Sequence, residues 1–169
     1  MITARAATQV DLPAFIDSVD NLFRDDAGVY GTYTDLTWPV RQGPARYAPL
    51  VDDPSSLLVV ACSESIDDHA ESATDAGGQA IIGHLFGHIS EPTATRQPVR
   101  FAVLESIYID EDFRKKGAGG LLTGHFLAWA KEQNCVEAIV EAYVANEAAQ
   151  RFYARRGFDP RSLTLGRAL

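Results

Sequence analysis

Residues 105–122 read ESIYIDEDFRKKGAGGLL, and this stretch decides how the chain folds. Its first part predicts a strand, and its glycine-rich second part predicts a turn that opens a helix. Glycines let the backbone approach a ligand closely, and the unpaired N–H groups at a helix start attract anions. The stretch therefore predicts a phosphate or pyrophosphate site at residues 115–120, assisted by Arg114 and Lys115.

Two common phosphate motifs do not fit this turn. A P-loop needs Gly-x-x-x-x-Gly-Lys-Ser/Thr, and that spacing is absent. The dinucleotide fingerprint needs a third glycine where Leu122 stands. The pattern that fits is Arg/Gln-x-x-Gly-x-Gly/Ala, which Arg114 to Gly119 satisfy. The segment resembles the acetyl-CoA pyrophosphate loop of the GCN5-related N-acetyltransferases (GNAT family), and the preceding IYIDEDF at 107–113 strengthens the likeness.

A second, independent stretch resembles the same family. Residues 146–158, NEAAQRFYARRGF, are similar to the family's Asn-x-x-Ala-x-x-Phe-Tyr…Gly-Phe segment. The resemblance implies acetyl-CoA as cosubstrate: strand backbone pairs with its pantetheine arm, and loop amides hold its pyrophosphate. It implies the following coenzyme-binding residues: Ile107, Tyr108, Ile109, Arg114, Lys115, Lys116, Gly117, Ala118, Gly119, Gly120, Asn146, Ala149 and Phe152.

The resemblance also suggests the groups that carry the chemistry. An alkylamine is mostly protonated near neutral pH, so a transferase needs a route for proton removal before the amine can attack a thioester. Glu105, on the strand before the loop, fits that role, directly or through a water. Tyr153 matches the family's general acid near the coenzyme sulfur. For both residues a purely structural role remains open: Tyr153 as a packed aromatic beside Phe152, and Glu105 as a solvated strand residue or a member of an ion pair.

The order of elements along the whole chain predicts an α/β protein. A strand and an amphipathic helix from Asp11 come first, followed by three consecutive strands, a helix, a strand, a helix and a last strand at Ser162 to Ala168. The GNAT resemblance implies a mixed central sheet of about six to seven strands flanked by about four helices. We interpret residues 1–169 as a single N-acetyltransferase domain that contains a flexible acidic loop at 64–78.

The acceptor site is expected near the end of the first helix, in an aromatic stretch. Two carboxylates beside aromatic rings suit a cationic amine. A solvated helix end explains the carboxylates equally well. The predicted acceptor-binding residues are Asp25, Asp26, Tyr30, Tyr33 and Trp38.

Composition limits the classes of function. A net charge of −8 argues against general nucleic-acid binding and allows cationic partners. No long apolar run or signal-like segment is seen, so we expect a cytoplasmic protein that neither spans nor binds a membrane. Cys62 and Cys135 lack metal spacing, and His84 and His88 lack a third ligand, so no metal site is predicted. No motif specifies the oligomeric state, which leaves a homodimer open.

These observations favour an acetyl-CoA-dependent N-acetyltransferase that acts on a primary amine of a small cationic metabolite by direct attack in a ternary complex. Two alternatives remain at this point. One is acetylation of a protein N-terminus or lysine, which the acidic charge also suits. The other is a non-catalytic acyl-CoA-binding sensor.

Overall fold

The computed structural model describes residues 1–31, 33–64, 79–91 and 97–169, and shows one mixed sheet within them. Each strand lies beside the strand that precedes it in the chain. Neighbouring strands are antiparallel except for the last two, which are parallel. In spatial order the strands are β1 (Ile2–Ala6), β2 (Ser56–Ser63), β3 (Ala80–Ser90), β4 (Phe101–Ile109) and β5 (Glu137–Val140).

The α/β class and the mixed sheet are confirmed, but the predicted number of strands is wrong. The described residues form five strands rather than six to seven. The expected last strand at Ser162 to Ala168 is irregular, and Leu163 and Leu165 are 63% and 85% exposed. A strand is stabilised by pairing and by burial of one face, and these residues have little of either. Of the predicted loop at 64–78, only Glu64 lies within the described residues.

The described residues contain four helices of eight or more residues, in agreement with the predicted number, and a three-residue helix between the first two of them. The helices are α1 (Leu12–Leu22), α2 (Gly28–Tyr30), α3 (Trp38–Tyr47), α4 (Ala118–Glu132) and α5 (Glu147–Ala154). In the described residues no helix combines the length and the apolar character that crossing a membrane requires.

The sheet is covered on both faces, which explains the continuous apolar run in β2. Alternate β2 side chains point to opposite sides of the sheet. Val60 packs with Phe15 of α1 in one core, and Val59 packs with Phe126 of α4 in the other. Gly87 of β3 permits the close approach of α4, because a Cβ there would lie 2.7 Å from the Phe126 ring.

The helical path of the chain does not end with α1 at Leu22. It continues into a π-helical turn, Phe23–Ala27, and then into α2. A π-helical turn changes the direction of the side chains that follow and often lies at a functional site. Here the turn carries Asp25 and Asp26.

An irregularity in β4 lies at the residue predicted as the base. Ser106 pairs with Phe86 of β3, and Leu104 pairs with the next residue, Gly87, so Glu105 is an extra residue in a β-bulge. Beside it, the pairing of β4 with β5 ends where Leu104 faces Val140. The two strands therefore diverge at Glu105, which leaves an opening at the centre of the sheet.

A buried ion pair fastens β1 to the start of α1 and makes stability depend on acid pH. The Asp11 side chain is 1% exposed and accepts hydrogen bonds from Arg5 at 2.8 Å and from Thr8. The Arg5 contact is the main cause that lowers the pKa of Asp11 from 3.8 to about 2. A carboxyl with a lowered folded-state pKa stabilises the protein above its unfolded pKa and loses that contribution as the pH falls.

We expect Asp11→Asn to lower the free energy of unfolding by up to about 2 kcal/mol at pH 7. The difference from wild type should shrink as the pH falls from about 4 to about 2, the window between the two pKa values. Urea unfolding at several pH values measures it, with Asp17→Asn on the exposed side of α1 as the matched control. A difference that stays constant over this pH range would contradict the expectation.

Candidate active site

A pocket of about 610 Å³ opens where β4 and β5 diverge. The end of α1, the start of α3, the β4 bulge and the residues after β5 form its walls. The described residues that line it include no lysine or arginine. Its carboxylates are Asp26, Asp35, Glu105 and Glu141, and its aromatic rings are Phe23, Trp38, Tyr47 and Tyr143. The remaining lining residues are Leu22, Ala27, Ser106 and Ala142.

The bulge directs Glu105 toward two basic side chains as well as toward the pocket. The Glu105 carboxylate lies 3.5 Å from the Arg46 guanidinium and 3.2 Å from Nδ1 of His88. Its side chain is 40% exposed, so the carboxylate remains in contact with water. Arg41 likewise pairs with Asp35. Two of the four pocket carboxylates thus have an arginine partner, and both of these pairs involve α3.

The glycine-rich loop takes up an unusual backbone shape before α4. Lys115 and Gly117 have positive φ angles of 62° and 94°. Glycine adopts such angles without strain, so Gly117 fits its position, whereas the side chain of Lys115 makes this conformation less favourable. Gly117 caps α4, and its carbonyl accepts hydrogen bonds from the N–H groups of Gly120 and Leu121.

The two stretches that resemble the family, residues 105–122 and 146–158, pack against each other. A Cβ at Gly119 would lie 2.9 Å from the Phe152 ring, so this glycine lets α4 approach α5. The Arg156 guanidinium stacks 3.6 Å from the centre of the Phe152 ring, and a Cβ at Gly120 would lie 3.2 Å from its Nη2. Arg156 therefore adds a positive charge beside the loop. In the sequence it is one of three arginines within residues 151–156, outside the predicted coenzyme-binding residues.

Tyr153 lies within an aromatic cluster on α5. Its ring makes edge contacts with Phe152 and Phe158, with centroids 5.2 Å and 5.7 Å away. Burial, and then the negative charge of Asp26, raise the pKa of the Tyr153 phenol well above its usual value. The phenol is therefore protonated throughout the neutral range.

Asp25, the first carboxylate of the π-helical turn, connects this turn to the segment that resembles a coenzyme-binding loop. Asp25 Oδ2 accepts hydrogen bonds from the Tyr108 hydroxyl and from Arg114, both at 2.9 Å. Arg114 also donates to the Ile109 carbonyl at 2.8 Å. Burial and the Asp25 contact raise the pKa of Tyr108 to about 12. Arg114 is thus held by protein groups rather than directed toward the glycine-rich turn.

The second carboxylate joins α1 to α5. Asp26 Oδ1 accepts a hydrogen bond from Asn146 Nδ2 at 2.7 Å. Asn146 Oδ1 in turn caps α5 by accepting from the Ala149 N–H at 3.0 Å. We call Asp25 and Asp26 together the α1 latch, because they tie the end of α1 to Tyr108 and Arg114 on one side and to Asn146 on the other.

The predicted acceptor residues do not all reach the pocket. Asp26 and Trp38 line it, and the Trp38 ring stacks on Phe23 with centroids 5.8 Å apart. Asp25 belongs to the α1 latch, Tyr30 packs against Tyr143, and Tyr33 is 93% exposed. Sequence reasoning missed the following wall residues: Phe23, Asp35, Tyr47, Glu141 and Tyr143. Glu141 and Tyr143 fell inside a predicted strand, and only the early end of β5 reveals their position.

Comparisons with known proteins agree with this architecture. Streptothricin acetyltransferase A of Bacillus subtilis (strain 168) is 36% identical over 58 residues, which are 34% of each chain. Aminoglycoside N(6')-acetyltransferase type 1 of Serratia marcescens is 39% identical over 61 residues, 36% of this chain and 40% of that one. The matches therefore span only about a third to two fifths of the length of these relatives.

A solved structure shows the likeness over the whole fold. The aminoglycoside N-acetyltransferase AAC(6')-Iy in complex with CoA superimposes with a TM-score of 0.71 at 15% identity, covering 100% of this chain and 95% of that one. A model of the acetyltransferase (GNAT) family matches residues 20–158, which is most of the 169 residues. The chain belongs to the GNAT acetyltransferase family.

Proposed function

We propose that the protein transfers an acetyl group from acetyl-CoA to a primary amine of a small metabolite that carries more than one positive charge. The observation that carries this proposal is the pocket beside the β4 opening, whose walls combine four carboxylates with four aromatic rings. Carboxylates and ring faces both attract ammonium groups. The names of the two curated relatives point to the same kind of polycationic acceptor.

Strand β4 and the glycine-rich loop form the acetyl-CoA site in this proposal. Beyond Leu104 the backbone of β4 has no β5 partner, so Ile107 and Ile109 lie where an extended pantetheine arm could pair as an added strand. The positive φ angles at Lys115 and Gly117 and the start of α4 suit a pyrophosphate. The Gly120 amide already donates to Gly117, so we assign the phosphate contacts to the amides of residues 115–119.

The basic residues around the glycine-rich loop have different roles in binding the coenzyme in this proposal. Arg114 is engaged by Asp25 and the Ile109 carbonyl, so it shapes the loop in this proposal. Lys115, Lys116 and Arg156 supply the charge that faces the phosphates. Phe152, Ala149 and Asn146 border the arm from α5, where Gly119 holds the two helices close.

On the acceptor side, two carboxylates are best suited to hold a cation. Asp35 and Glu105 have arginine partners, which reduces their pull on a ligand. Asp26 accepts a hydrogen bond from the neutral amide of Asn146, and Glu141 lines the pocket from the segment after β5. An ammonium held near Asp26 or Glu141 leaves a second amine of the same molecule free to reach the bulge.

Glu105 is the base in this proposal. Its carboxylate lies at the diverging edge of β4, where the thioester would lie, and it keeps contact with water. It takes a proton from the bound ammonium, directly or through a water, and the neutral amine attacks the thioester carbonyl. Arg46 forms an ion pair that positions the carboxylate, and the His88 ring lies beside it. Tyr153 donates a hydrogen bond to the departing sulfur.

The test is release of free thiol from acetyl-CoA against a panel of amines. The panel contains an aminoglycoside, streptothricin, a linear polyamine, a monoamine and short basic peptides. We expect the polycations to exceed the monoamine by about tenfold or more in kcat/KM, as one additional ion pair in a partly buried pocket predicts. Selective use of peptides would assign the protein to peptide acetylation, and coenzyme binding without transfer to any acceptor would make it a sensor.

We expect Glu141→Gln to raise the KM for a polycationic acceptor about three- to tenfold, because one partly exposed charge contact is lost. The KM for acetyl-CoA and the rate with a monoamine should change little. Glu132→Gln at the exposed end of α4 makes the same chemical change away from the pocket and serves as the control. Equal effects of Glu141→Gln on polycation and monoamine would contradict the assignment.

A further inference from the structure

A fully buried histidine joins α1 to the wall of the pocket. His84 of β3 is 0% exposed. Its Nδ1 lies 2.8 Å from the hydroxyl of Ser18 on α1, and its Nε2 lies 3.1 Å from the hydroxyl of Ser106 on β4. The Phe15 ring covers one side, with centroids 4.9 Å apart. Both ring nitrogens therefore have a polar partner in otherwise apolar surroundings.

The imidazole is neutral, so the two hydrogen bonds have opposite directions. Burial lowers the pKa of His84 to about 3. A neutral imidazole has one N–H donor and one acceptor nitrogen. Each serine hydroxyl can donate or accept, so the position of the imidazole proton sets the direction of both bonds. We place that proton on Nδ1, so that Ser18 accepts from Nδ1–H and Nε2 accepts from the Ser106 hydroxyl.

Of the three hydrogen-bonded side chains, Ser18, His84 and Ser106, it is Ser106 that belongs to the wall of the pocket. It follows the bulged residue Glu105, and the bulge lets both side chains line the same pocket. If the Ser106 proton is donated to Nε2, the oxygen lone pairs remain available on the pocket side. A bound amine or ammonium presents N–H donors, for which such an oxygen is a matched partner.

We propose that Ser106 is an acceptor-positioning residue whose hydroxyl oxygen accepts a hydrogen bond from the amine, and that Ser18 and His84 fix the direction of that hydroxyl. This inference rests on the proposed function and adds a second contact to the same amine that Glu105 deprotonates. His84 is too weak a base to accept a proton from the bound ammonium. Ser18, His84 and Ser106 therefore orient the amine and transfer no proton.

Steady-state kinetics with Ser106→Ala and Ser106→Thr test the role. Ser106→Ala should raise the acceptor KM about tenfold, as the loss of one hydrogen bond to a charged group predicts, and leave the KM for acetyl-CoA unchanged. Ser106→Thr keeps the hydroxyl and should stay within about threefold of wild type. Ser90→Ala, in β3 outside the pocket, is the control for removal of a strand serine. An unchanged acceptor KM in Ser106→Ala would overturn the proposal.

Two further measurements separate this inference from the proposed function. Calorimetry gives the Kd of a panel amine, so a lost contact at Ser106 is detected even if no acetyl transfer occurs. Nitrogen-15 NMR of labelled histidines should show His84 neutral, with its proton on Nδ1, from pH 5 to pH 8. Ser106→Ala should shift the Nε2 resonance. A proton on Nε2 instead would overturn the orientation on which the inference depends.

Discussion

Tyr153→Phe is expected to lower kcat by about 10²–10³-fold, the range for loss of one preorganised hydrogen-bond donor to a developing negative charge. The phenol of Tyr153 has a raised pKa and is a weaker acid than a typical thiol of pKa about 8.5. It therefore stabilises a developing thiolate through a hydrogen bond that is strongest in the transition state. Phenylalanine cannot supply that bond, and thiol release with a saturating acceptor measures the loss.

The same substitution should leave coenzyme binding and folding nearly unchanged. The Tyr153 ring packs between Phe152 and Phe158, and phenylalanine preserves those ring contacts. The Kd for acetyl-CoA and the Tm serve as controls. Because the phenol stays protonated at neutral and mildly alkaline pH, Tyr153 should produce no alkaline fall in the wild-type rate below about pH 9. Normal turnover in Tyr153→Phe would leave the residue as a packed aromatic only.

Glu105→Gln is expected to lower kcat about 10²-fold or more at pH 7, since the amine then lacks its base. Glutamine has the same shape and can remain beside His88 and Arg46. Near pH 10, where a free alkylamine is partly neutral without help, the difference between variant and wild type should narrow.

This pH comparison distinguishes a base from a simple binding group. If Glu105 only attracts the cation, Glu105→Gln raises the acceptor KM and leaves kcat unchanged. The pocket contains such binding carboxylates, and Glu141→Gln provides the comparison within the same enzyme. A Glu105 variant that behaves like the Glu141 variant at every pH would contradict the assignment of the base.

Local patterns predicted the centre of this fold well. The strand predicted in the first part of residues 105–122 lies in β4, and the glycine-rich turn opens α4 as predicted. Asn146 caps α5, a position that asparagine side chains favour. In each case a few neighbouring residues determine the backbone geometry, so the local sequence is enough to predict the element.

The walls of the pocket depend on contacts that local patterns do not encode. Asp25 meets Arg114 across 89 positions, and Asp26 meets Asn146 across 120. The bulge at Glu105 and the early end of β5 are properties of strand pairing, and together they move Glu141 and Tyr143 into the site. The number of strands was overestimated because Ser162 to Ala168 has strand-like composition and no partner.

The π-helical turn has a consequence for how this protein can change over evolution. Removing one residue from Phe23–Ala27 would rotate the following side chains by about 100° on an ordinary helix. The hydrogen bonds of the α1 latch to Tyr108, Arg114 and Asn146 would then break together, and the same step would remodel a wall of the pocket. New acceptor preferences are therefore more accessible through α3 and the residues after β5, where substitutions leave the donor half undisturbed.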